Sequence, residues 1–193
     1  MICDLVNRLF RKQEPYVFVA MPLSVKEDYR GYLDDGLSAL RESEHGVETE
    51  RYFSSFEIFE EFPWLKKLEK PLRKKSWREL SKTTHSLRKV YEKFLIGLCK
   101  AKASSAEAVL YVVPGPYEVS RTITLGAVSE CDRALRDNIP TFVYFHGEKQ
   151  LVRVNSINEI FEMKDLRAPA YWLMKEPSLR IDQKFVDYSQ EKS

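Results

Sequence analysis

The chain has 193 residues, of which 44% are hydrophobic and 12% aromatic. That is enough apolar content to bury a core and too much to read as disorder. Its 31 Lys and Arg nearly balance 29 Asp and Glu, leaving a formal charge of +2, so no global attraction to nucleic acid follows.

Three separated cysteines form no CxxC pair or zinc spacing, which points to a reducing, cytoplasmic setting. His45, His85 and His146 are equally dispersed. No metal centre is expected, and no motif calls for a cofactor. No apolar run reaches the ~20 residues that span a bilayer. Few glycines beside many charges are compatible with a thermophilic source.

Residues 1–14 carry apolar positions at helical spacing, with Arg8, Arg11 and Lys12 behind them. They read as a short amphipathic helix docked on the body, or one that binds a surface, and they lack the features of a signal peptide. "YVFVAMPL" (16–23) reads as a buried first strand ended by Pro22. Residues 25–43 bring Tyr29, Tyr32, Leu33, Leu37 and Leu40 to one helical face, and Gly46 stands where a C-cap would stop that helix. A second strand is expected within 47–56.

Pro63 and Pro71 break up residues 57–86, which read as an inserted set of short helices. Helical periodicity returns over 84–106. "EAVLYVVP" (107–114) reads as a buried strand, 120–138 as a helix, "IPTFVYF" (139–145) as a third strong strand and 151–155 as a short edge strand. The extension 156–193 holds a helix near 157–167 and the aromatic segment "APAYWLM".

Alternating strands and helices predict one α/β domain, a three-layer sandwich with a mostly parallel sheet and a helical insertion. In such Rossmann-like or flavodoxin-like sheets, ligands bind beyond the carboxyl ends of the strands. Those ends are 20–24, 114–122 and 145–149. Ser120, Arg121 and Thr122 are read as opening the helix. They suit capping of its free N–H groups and also contact with a phosphate or ribose. Glu118 is either a solvated loop carboxylate or a general acid/base. Gly126 is expected to let helix and strand pack closely and to leave room for ligand.

The order of these motifs resembles the nucleoside 2-deoxyribosyltransferase-like family. Ala20-Met21-Pro22-Leu23 is similar to that family's Ala-Gly-Pro turn after the first strand. Ala106-Glu107 corresponds to its Ala-Asp pair, Glu118 to the acidic turn position, Leu125-Gly126 to the end of Glu-Leu-Gly, and Ile139-Pro140 to Lys-Pro. The similarity covers about 16–145, apart from 57–86. It implies a nucleoside, nucleotide or NAD-like ligand held by Ala20, Met21, Pro22, Ser24, Ser120, Arg121, Thr122, Thr124 and Gly126. It also implies a homo-oligomer, with Tyr171 and Trp172 as a docking contact.

In the family, the glutamate of Glu-Leu-Gly attacks the sugar as a carboxylate nucleophile. Here that position is Thr124. Cleavage of an N-glycosidic bond is therefore left open, with Glu118 as the carboxylate at the strand end. Glu130 lies almost two turns further on and reads as too distant to substitute. TIR-type NAD-cleaving domains also carry a glutamate on a helix beside a parallel sheet, but no residue here identifies its counterpart.

A second reading is a non-catalytic interaction protein. Residues 64–93 hold eleven Lys/Arg against three Glu. This is either a solvated helical face or a patch for nucleic acid or an acidic partner, using Arg73, Lys74, Lys75 and Arg78 with Trp64 and Trp77 interleaved.

Overall fold

A computed structural model describes residues 14–22, 29–58, 82–115 and 123–189, with the backbone alone for 82–88. The expected helix at 1–14 up to residue 13, residues 59–81 of the 57–86 insertion and the turn at 116–122 lie outside the described residues.

Strand β1 (Val17–Ala20) is buried at every position. Helix α1 (Tyr29–Glu42) follows and buries Leu33, Gly36, Leu37 and Leu40, the stripe that its spacing predicts. Strand β2 (Tyr52–Ser54) is short. Helix α2 (Lys82–Ser104) leads to β3 (Ala108–Val113), again wholly buried. Helix α3 (Leu125–Arg136) leads to β4 (Thr141–Phe145), and a turn to β5 (Gln150–Val154). The chain continues with α4 (Ile157–Met163), β6 (Ala168–Pro169), α5 (Ala170–Lys175), a 3-10 turn and β7 (Val186–Asp187).

The main sheet runs β2-β1-β3-β4-β5. The first four strands are parallel, and β5 pairs antiparallel to β4 at the edge. The fold is thus α/β with a mostly parallel sheet. The two-stranded sheet of β6 and β7 has no counterpart in the sequence reading, because its strands are two residues each.

Strand residues alternate between two cores. Val17, Val19, Leu110, Val112, Phe142 and Tyr144 face Leu33, Leu37 and Leu40 of α1. Phe18, Ala20, Val109, Tyr111, Val143 and Phe145 face the opposite layer, which includes Leu98, Cys99, Val128, Cys131 and Ile160.

Gly36 is where α1 meets the sheet most closely. A Cβ there would lie 2.9 Å from Val112 Cγ2 and 3.3 Å from Leu110 Cδ2. The role expected of Gly126, close packing of helix on strand, thus belongs to Gly36. At Gly126 an added Cβ would meet nothing within 4 Å.

The start of α3 also differs from expectation. Its N-cap is Thr124, which is extended and whose hydroxyl accepts a hydrogen bond from Ala127 N–H. The expected opening at Ser120–Thr122 therefore precedes the helix by several residues. At the other end Asn138 adopts φ +58°. Asn138 N–H donates to the Leu135 carbonyl and Ile139 N–H to that of Ala134, a Schellman stop that turns the chain into β4.

Candidate functional site

Strand order reverses between β1 and β3. From β1 the chain moves outward to β2, then returns past β1 to form β3. Crossovers leave this point on opposite faces, so a crevice opens at the carboxyl ends. A cavity of about 250 Å³ lies there. Met21 contributes from the end of β1 and Ser55 from the end of β2. Helix α2 adds Leu95, Ile96 and Cys99, while α3 and its cap add Thr124, Gly126, Ala127 and Glu130. Gly126, Ala127 and Glu130 recur at i, i+1 and i+4, one face of the helix.

Most of this lining is apolar, so its polar atoms stand out. Ser55 is 5% exposed, and its Oγ is buried with no hydrogen-bond partner among the described residues. Such an orphan costs about 1–3 kcal/mol of lost hydration. Glu130 is also 5% exposed. Burial pushes its carboxyl up to about 8, against the pull of a hydrogen bond from the Cys99 thiol and of the Lys100 charge. Lys100 is itself held 2.7 Å from Glu176. Near neutral pH Glu130 therefore carries its proton.

Cys99 and Cys131 are free, buried thiols. Burial raises both well above the ordinary cysteine range, and the Glu130 charge adds to it. Neither is an activated nucleophile. Tyr111 of β3 is fully buried, its phenol raised by burial while a backbone hydrogen bond with Thr124 works against that rise. That bond ties the cap of α3 to the central strand.

Of the residues singled out from the sequence, Met21, Thr124 and Gly126 meet at this cavity. Ala20 and Pro22 are buried beside it without lining it. Ser24, Glu118, Ser120, Arg121 and Thr122 lie outside the described residues, as do Arg73, Lys74, Lys75 and Arg78.

The sequence reads Glu130 as too distant to substitute for a nucleophile at Thr124, and the structure places both residues on the wall of one cavity. A signal existed, since Glu130 adjoins the stripe of Ala127, Cys131 and Ala134, where an acid is out of place. Ser55 had no sequence signal.

A second cavity of about 300 Å³ opens on the other flank of Thr124, lined by Phe161, Arg167, Tyr171, Trp172 and Lys175 among others. At the end of β4, Asp35 of α1 accepts hydrogen bonds from Lys149 at 2.5 Å and from His146 Nε2 at 2.9 Å. Lys149 beside it lowers the Asp35 carboxyl. This half-exposed cluster pins α1 to the β4–β5 turn. Among the described residues no group of three or more His, Cys, Asp or Glu could hold a metal ion. No described helix is long and apolar enough to cross a membrane.

Comparison with family models, curated proteins and solved structures finds no match.

Proposed function

We propose that this chain is a deoxyribosyltransferase-like α/β protein that binds an uncharged nucleoside or nucleobase in the cavity between β1 and β3. The observation that carries this reading is a largely apolar cavity at the carboxyl ends of the strands, with the buried Glu130 the one acid among its described lining residues. Ligand sites have this composition: apolar walls for a flat ring, and few polar groups to orient it. The cavity's position at the reversal of strand order supports the reading further. Among the described residues the cavity lining contains no Lys or Arg, in keeping with an uncharged ligand.

Binding is better supported than transfer of a sugar. The position of the family nucleophile is occupied by Thr124, whose hydroxyl is engaged as a helix cap. A threonine needs an adjacent base to act as a nucleophile, and no histidine is among the described residues that line the cavity.

A thermal-shift series with nucleosides, nucleobases and nucleotides tests the proposal. A ligand at a hundred times its Kd adds about 2.7 kcal/mol. In a chain of this size that raises Tm by roughly 5–10 °C. Gly126→Leu would fill the open space above Gly126 and should abolish the shift while the protein stays folded. An equal shift in that variant, or none in the wild type with any of these compounds, would reject the cavity as the site.

A further inference from the structure

The cavity of about 300 Å³ on the other flank of Thr124 is built differently from the one between β1 and β3. Its lining combines three aromatic side chains with two cations. Phe161, Leu166 and Trp172 are buried and form the floor, while Arg167, Tyr171 and Lys175 are exposed and form the rim. The aromatic pair expected to serve as a docking contact is thus divided. Trp172 is part of the cavity floor, and Tyr171 stands at its edge.

Both cations are positioned by contacts that leave them able to bind an anion. Arg167 Nη1 donates to the Leu166 carbonyl at 2.8 Å and lies 3.1 Å from the Asp165 carboxylate, and the guanidinium sits 5.7 Å from the centre of the Phe185 ring. Both polar contacts are made by Nη1. Neither uses the Nε–Nη2 edge, along which a carboxylate can accept two parallel hydrogen bonds. The Asp165 side chain is 90% exposed, so solvent weakens its hold on Arg167 and a ligand anion can compete with it. Lys175 Nζ lies 5.5 Å from the centre of the Tyr171 ring, one turn back on α5. Thr124 and Leu125, the cap and first residue of α3, also line the cavity. The positive end of that helix adds potential of the same sign.

A floor of aromatic and aliphatic side chains takes a flat apolar ring, and two cations at the rim take an anionic head. A volume of about 300 Å³ is at the low end for ligand sites, which limits the ligand to about one ring and its head group. Asp165 offsets part of the positive charge of Arg167, which suits one negative charge better than two.

We propose that this cavity is a second ligand site, which takes a small aromatic carboxylate with its ring against Trp172 and Phe161 and its carboxylate paired with Arg167 and Lys175. The site is separate from the cavity between β1 and β3 and does not depend on what binds there.

Isothermal titration of the full chain with benzoate, benzamide, acetate and phenyl phosphate tests this. Benzoate should bind. Benzamide keeps the ring without the charge, and acetate keeps the charge without the ring; each should bind at least about tenfold more weakly. Phenyl phosphate should bind no more tightly than benzoate. Arg167→Gln and Lys175→Gln should each weaken benzoate about tenfold without lowering Tm, because both side chains are exposed. Gly126→Leu, which fills the other cavity, should leave benzoate affinity unchanged. With Trp64→Phe and Trp77→Phe, Trp172 is the sole tryptophan, and benzoate should change its fluorescence. The calorimetric comparisons do not depend on that last variant.

Benzamide binding as tightly as benzoate would overturn the inference, as would wild-type benzoate affinity in both Arg167→Gln and Lys175→Gln. Phenyl phosphate binding more tightly than benzoate would overturn the choice of a singly charged head. Benzoate binding that leaves Trp172 fluorescence unchanged, or that is lost in Gly126→Leu, would place the ligand elsewhere. Failure of benzoate to bind would overturn the second site and leave the nucleoside reading of the first cavity standing.

Discussion

Glu130 reads from the sequence as too distant to replace Thr124 as a nucleophile, and it shares the wall of one cavity with that residue. Its burial has a consequence for stability independent of any ligand. The folded carboxyl ionises near 8 and the unfolded one near the ordinary value of 4.5. Between those limits the folded state holds a proton that the unfolded state has released, so unfolding is increasingly favoured as pH rises. The stabilisation is complete below about pH 4.5, is lost progressively up to about pH 8, and is then level. Relative to Glu130→Gln, the wild type should lose up to about 1.4 kcal/mol per pH unit across that window. Urea denaturation of both proteins at several pH values measures the difference. A difference that stays constant, or that shifts in favour of the wild type as pH rises, would mean that Glu130 is ionised and stabilised by a charge. Thr124, by contrast, was located correctly at the crossing, but its role as a cap depends on where the helix begins. The sequence leaves that point undetermined by several residues, because Ser120, Thr122 and Thr124 are all good caps.

At the scale of elements, apolar runs and helical stripes were legible because their signals are local. The strands at 17–20, 108–113 and 141–145 are continuous buried runs, and α1 shows its stripe plainly. The glycines were not legible, since what a glycine does depends on what lies opposite. Gly36 faces Val112 and Leu110 across the α1–sheet contact, and Gly126 faces open space. Opposite outcomes follow from one substitution. Gly36→Ala gains up to about 1 kcal/mol of helix propensity. Its Cβ meets Val112, a stiff β-branched side chain on a central strand, and such overpacking costs about 1–3 kcal/mol. Net destabilisation of up to about 2 kcal/mol is expected. Gly126→Ala has no clash to offset the same gain and should stabilise by up to about 1 kcal/mol. Denaturant midpoints of the two variants decide the matter, and a stabilised Gly36→Ala would show that α1 can shift off the sheet at little cost.

For the whole molecule, alternating strands and helices predicted a parallel sheet with two covered faces but not the order of its strands. Order depends on pairings such as Val17 with Ala108, far apart in sequence, and no local pattern encodes them. That order sets the reversal between β1 and β3, and hence where the cavity lies. Charge distribution poses the remaining question at this scale, because eleven Lys/Arg and three Glu crowd into 64–93 while the whole chain is only +2. An uncharged ligand has no net charge for this local excess to act on, whereas a nucleic acid would feel it directly. Replacing Arg73, Lys74, Lys75 and Arg78 with Gln removes four charges and takes the chain from +2 to −2. The thermal shift produced by uncharged nucleosides should then be unchanged. Loss of that shift would bring the basic segment into the ligand site. Wild-type retention on immobilised nucleic acid that weakens steeply with salt and vanishes in the variant would give the segment a binding role of its own. Each neutralised phosphate contact should reduce the slope of log affinity against log salt by about one. The two assays therefore report on different parts of the chain, and a positive result in one leaves the other prediction intact.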